Sequence, residues 1–143
     1  MPIRKELRQF YGPRWREITR PRILARAGNK CENCQKPNAT PVESRYAWAF
    51  SRDGMRERRM WWRVIESEEW RNQFGEIQTP PQFYSRETVS ITGLGIAHLN
   101  HVPGDDRDEN LKALCQWCHL MHDRERHHET RGDRKDATRP LLA

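Results

Sequence analysis

Nowhere in the 143 residues does an apolar run approach the roughly 18 residues that a membrane-crossing helix needs. The charged start, Met1-Pro2-Ile3-Arg4-Lys5-Glu6, leads into no apolar stretch either. No secretory signal and no membrane partner are therefore expected, and the expected location is cytoplasmic. Apolar residues are scarce, 35% against 32% charged, which is lean for a domain of this length and calls for a staple. Cysteine is scarce too. The four present fall in two pairs, Cys31-x-x-Cys34 and Cys115-x-x-Cys118. In a reducing compartment that pattern points to one structural Zn²⁺ rather than to two disulfides. No internal repeat is evident, and the length suits one domain.

What the chain has in excess is positive charge, and it is unevenly placed. Residues 1–30 hold nine Lys or Arg against Glu6 and Glu17, a larger surplus than the net +6 of the whole chain. Residues 31–97 balance, and 98–122 are slightly acidic. A basic arm beside an acidic, histidine-bearing segment suits a polyanionic partner such as DNA. Arg20, Arg22 and Arg26 are the expected nucleic-acid contacts.

Local patterns sketch the elements. Leu7, Phe10, Tyr11, Trp15 and Ile18 recur at roughly helical spacing across Gly12-Pro13, which predicts a loose arm or short helix laying its aromatics on the domain. Thr19 as cap, Pro21 in the first turn and Gly28 as stop predict a helix near 20–27. Within 42–90, Tyr46, Trp48 and Phe50 alternate toward Arg52-Asp53-Gly54, a hairpin signal. Met60, Trp61, Val64 and Ile65 fit a return strand and a helix equally well. Ser67 is a candidate cap for a helix at 68–74. Residues 87–99 read as one strand, with Gly93 and Gly95 marking a bulge or a close approach. A polar loop follows at 105–110, then a helix over about 118–129, and 130–143 reads as a disordered tail.

The chemistry concentrates in Ala97-His98-Leu99-Asn100-His101-Val102-Pro103 and in Asn110 to His119. Four thiolates satisfy a tetrahedral zinc and leave no open position, so Cys31, Cys34, Cys115 and Cys118 should staple rather than catalyse. The histidines suggest a second centre. Along a strand, His98 and Asn100 share a side and His101 faces away. On a helix, His119 lies one turn from His122 and Asp123. A helix face opposite a strand end is a cradle for one divalent ion.

The combined pattern, Cys-x-x-Cys, then His98-Leu99-Asn100-His101, then Asn110-Leu111-x-x-Leu114-Cys115-x-x-Cys118-His119, resembles the HNH (ββα-metal, His-Me finger) endonuclease superfamily. The segment Ala97 to Asp123 is similar to the small HNH proteins of bacteriophages and prophages. The resemblance covers about residues 20–35 and 87–128 and leaves an insert at about 42–86 unexplained. It implies an α+β fold: a small ββα-metal core with structural zinc and an inserted hairpin or helical segment, within one domain over 1–129. It implies a metal-dependent endonuclease hydrolysing DNA phosphodiesters. His101 would be the general base. Asn100, His119 and Asp123 would hold a catalytic Mg²⁺, or Mn²⁺ or Ni²⁺. Asn110 would tie down the loop. Asn100 stands where the family has Asp, and a register shifted by three residues would make His98 the base instead. The competing class is a zinc-ribbon module that binds nucleic acid without cutting it. A nicking role beside phage DNA-packaging proteins follows from family analogy alone.

Overall fold

The computed structural model describes residues 3–50 and 52–124, so the tail expected at 130–143 lies outside the described residues. A 3₁₀ turn at Lys5–Tyr11 leads into helix over 13–26, whose middle, Trp15–Thr19, is a π stretch and whose end is α1, Arg20–Arg26. Pro21 accounts for the widening. It has no N–H to give the preceding turn, and the Arg20 N–H reaches five residues back to the Trp15 carbonyl. Thr19 is thus not a cap: it is helical, buried and makes no capping bond. Gly28, at φ +66°, closes α1 in a Schellman arrangement, with Asn29 N–H on Leu24 O and Gly28 N–H on Ala25 O. The aromatics of this segment lie on the domain, as their spacing suggested. Trp15 packs with Ile23, Ile96, Leu111 and Ala113.

The insert is a sheet. β1 (Pro41–Phe50) and β2 (Arg56–Val64) pair antiparallel from Phe50↔Arg56 to Val42↔Val64, the hairpin that the alternation and Asp53-Gly54 predicted. β3 (Arg71–Asn72) and β4 (Arg86–Ile91) complete the order β3-β2-β1-β4. The helix expected at 68–74 does not form. Ser67 Oγ accepts from Glu69 N–H, and Asn72 Oδ1 accepts from Phe74 and Glu76 N–H. Those local bonds build turns in place of a helical ladder. The single strand expected at 87–99 is two. The chain breaks at Thr92-Gly93 and leaves the first sheet for a second.

That second sheet, β5 (Leu94–His98) with β6 (Leu111–Cys115), runs directly into helix α2, described over 116–124. Its two faces have different tenants. Ile96, Leu111 and Ala113 face Trp15 and Ile23. Ala97 and Leu114 join Val42, Met60, Trp62 and the four cysteines. The chain is therefore α+β, with antiparallel sheets meeting at a cluster of four cysteines. No helix among the described residues is long and apolar enough to cross a membrane.

Candidate metal centres

Cys31 and Cys34 sit in a tight knuckle: Cys31 N–H donates to Lys36 O, and Gln35, at φ +68°, returns its N–H to Cys31 O. Cys115 ends β6, and Cys118 lies on the first turn of α2. All four are buried, and their sulfurs lie within 4.8 Å of one another, Cys34 and Cys115 at 3.6 Å. Zinc–thiolate bonds of about 2.3 Å set tetrahedral edges of about 3.8 Å, so the donor set and its spacing fit a tetrahedral ion such as zinc. The crowding divides the thiols. Hydrogen bonding from Cys115 drives Cys31 far down, and Cys118 holds Cys115 at about 7. Cys34 and Cys118, each acting as donor to Cys115, are pushed up. Four buried sulfur donors at this spacing are the set that a thiophilic cation takes.

The second group gathers where the loop after β5 meets α2. His101 Nε2 lies 3.1 Å from Asp123 Oδ1, and His119 Nε2 lies 3.3 Å from Asp123 Oδ2. The His101 and His122 rings stack at 4.7 Å, and single donor atoms of His101, His122 and Asp123 all fall within 4.8 Å. On α2 the i, i+3, i+4 spacing sets His119, His122 and Asp123 on one face. Gly95 explains how that face sits so close to the sheet. A Cβ there would meet His119 Nδ1 at 3.3 Å. Burial lowers the His119 pKa, against the pull of Asp123, so the ring is held toward the neutral form that ligates metals.

The loop that delivers His101 is built by two asparagines. Asn110 Oδ1 accepts from Asn100 N–H, while its Nδ2 donates to Asn100 Oδ1 and Asp105 O. Asn100 Oδ1 also accepts from Val102 N–H, and its Nδ2 donates to Asp105 at 2.7 Å. Both lone pairs of the amide oxygen are thus used within the loop. Asn100, expected as a metal ligand, instead brackets His101 and helps hold it at φ +60°, a left-handed conformation costing about 1 kcal/mol. His98 also stands apart. Its ring lies on the sheet face turned toward the N-terminal helix, stacked 5.2 Å from Trp15, with Nε2 2.9 Å from Asp106. Only its carbonyl reaches toward the cluster, 3.4 Å from His122 Nε2.

The arginines expected to grip DNA are engaged internally. Arg20 donates to Leu94 O, Arg22 pairs with Asp108, and Arg26 binds Glu32 and the carbonyls of Asp108 and Leu111. The bonds to Leu94 O and Leu111 O tie α1 to the second sheet, while the largely exposed Arg22–Asp108 pair adds little. Of the other two partners, one is legible in the sequence and one is not. His122 had a signal in its spacing from His119. Asp106 had none, since a loop carboxylate eight residues from its histidine follows no periodicity. Beside the cluster, a cleft of about 630 Å³ opens between α2 and the first sheet, with Trp117, Met121, His122 and Arg124 on one wall and Arg58 and Phe74 on the other. A scan against protein-family models and searches of curated proteins and of solved structures return no match to this chain.

Proposed function

We propose that the chain is a metal-dependent nuclease that hydrolyses phosphodiester bonds in DNA, with β5, β6 and α2 forming a ββα-metal core. The observation that carries the reading is the convergence of His101, His119 and His122 on the Asp123 carboxylate beside an open cleft. Its support from sequence is the resemblance to HNH endonucleases over the same segment. His122 and Asp123, with His119 beside the second Asp123 oxygen, would hold the divalent ion, an imidazole and carboxylate set that suits Mn²⁺ or Ni²⁺ as well as Mg²⁺. Such an ion, when bound, polarises the phosphoryl oxygen and lowers the pKa of water. His101 takes the proton. Its Nε2 faces Asp123, which favours the tautomer with Nε2 protonated and leaves Nδ1 to accept. His98, covered by Trp15 and committed to Asp106, serves the fold of the loop.

The test is supercoiled plasmid incubated with purified protein and Mg²⁺, Mn²⁺, Ni²⁺ or EDTA. Relaxed or linear product with an ion and none with EDTA is expected. His101→Ala should lower the rate roughly 10²–10⁴-fold with the thermal midpoint kept. Plasmid that is bound yet intact with every ion would leave the zinc-ribbon binding module as the reading. Cleavage lost in His98→Ala but kept in His101→Ala would move the base to His98.

A further inference from the structure

The β1–β2 hairpin extends beyond the core that roots it. Strand alternation places Tyr46, Trp48 and Phe50, with Met60, Arg58 and Arg56 opposite, on the face whose base packs on Trp117 and the cysteine cluster. Arg86, opposite Tyr46 on β4, joins the same face. Toward the tip this face is made of cations on rings. Arg56 lies 3.9 Å and Arg58 5.0 Å from the Trp48 ring centre, and Arg86 lies 4.8 Å from that of Tyr46. Among the described residues none of these three arginines forms an ion pair. The opposite face is different. There the arginines have carboxylates as well as rings: Arg45, over Trp70 and Tyr84, meets Glu43 and Glu87, Arg63, over Trp70, meets Glu43, and Arg59 lies 3.9 Å from Glu57.

The two kinds of partner have opposite consequences for charge. A carboxylate cancels a guanidinium and occupies its N–H donors. A ring face orients the guanidinium, leaves its charge in place, and leaves the donors in its plane free for a bidentate acceptor. One side of the hairpin is therefore neutralised, and the other presents ordered, uncancelled cations. That cationic side continues into the cleft. Arg58 forms one wall, with His122 and Arg124 across from it. Of the two acids on the cleft lining, Glu32 is hydrogen-bonded by Arg26 and Glu57 lies 3.9 Å from Arg59.

We propose that this face grips the phosphate backbone of a nucleic acid, with Arg56, Arg58 and Arg86 as phosphate contacts and Arg124 carrying the track toward His122. The proposal deepens the nuclease reading and rests on it for the destination of the strand, though not for the binding itself. Arg58 and Arg59 supply the test, as neighbours on one strand that lose the same charge from opposite faces.

Fluorescence anisotropy of a labelled short duplex is titrated with full-length, zinc-loaded protein across a salt series. Arg58→Gln should weaken binding several-fold and flatten the dependence of log affinity on log salt by about one unit, and Arg56→Gln with Arg58→Gln by about two. Arg59→Gln should leave the slope unchanged. Equal losses from Arg58→Gln and Arg59→Gln would overturn the proposal by reducing the effect to bulk charge. So would a wild type that binds no DNA, or polyglutamate competing as well as unlabelled duplex. Plasmid cleavage keeps the two readings separable. Cutting with an unchanged slope in the double variant removes the grip and leaves the nuclease. The expected slopes without cutting remove the nuclease and leave the grip.

Discussion

Asn100 is expected to hold a metal, and its amide is engaged within its own loop. The sequence places an amide where a family carboxylate would hold a metal, which suggests that Asn100→Asp repairs a weak ligand. The structure gives its oxygen two donors, Val102 N–H and Asn110 Nδ2, and points its Nδ2 at the Asp105 carboxylate. A second carboxylate at 100 would lose that donation and face Asp105 as a like charge. The expected outcome of Asn100→Asp is a lower thermal midpoint at neutral pH with no gain in divalent-ion affinity by calorimetry; tighter ion binding would restore the ligand role. The pH dependence has a definite sign. Arg107 first, with help from Asn100, holds the Asp105 pKa at about 2, below its ordinary 3.8. A carboxyl depressed on folding adds stability that is present above about pH 4 and lost as pH falls through about 2. The Asp105 carboxyl carbon, followed by NMR, should titrate in that window in wild type and higher in Asn100→Asp. The sequence could name Asn100 because it adjoins His101. It could not show which way the amide turned, since loop hydrogen bonds follow no period.

Elements with a strict local signature were legible and those assembled by distant contacts were not. Alternation plus Asp53-Gly54 gave the β1–β2 hairpin, and the i, i+3, i+4 spacing on α2 gave the face that carries His119, His122 and Asp123. For the N-terminal segment the helical spacing of its aromatics predicted an arm or short helix laid on the domain, and the structure seats Tyr11 and Trp15 there. Tertiary packing decides it. Trp15 is 8% exposed and stacks on His98 while Tyr11 meets the same ring edge-on at 6.0 Å. Trp15→Ala should therefore cost about 3 kcal/mol, within the range for a buried Trp lost to a cavity, read as a shift in the urea midpoint at constant slope. The same variant should uncover the His98 ring to solvent exchange. An effect below about 1 kcal/mol would return the segment to the status of an arm.

Three bodies of structure meet at the four cysteines: the knuckle after α1, the four-stranded sheet, and the β6–α2 junction. The paired spacing made the cluster legible from sequence. What was not legible is that the inserted sheet leans on it. Trp62 Nε1–H donates to Cys34 O at 2.9 Å, and Val42, Met60 and Trp62 share a core with all four thiols. That contact joins residues 28 apart, in segments whose local patterns carry no trace of each other. The same cluster carries Leu94, Ala97 and Leu114 of the second sheet, so the two sheets share the core built around the thiols. Structural zinc sites bind with about 10–16 kcal/mol of apparent free energy, comparable with or above the roughly 5–15 kcal/mol net stability of a domain. If the cluster holds such an ion, removing one of its thiols should unfold the chain rather than soften it. Cys31→Ser or Cys118→Ser is expected to abolish the zinc found by elemental analysis and the cooperative thermal transition together. His122→Ala, which touches only the second centre, should keep one zinc per chain and a near-native midpoint. Folded Cys118→Ser protein with an unchanged midpoint would show that the thiols pack as ordinary core residues and that the sheet is held by other contacts.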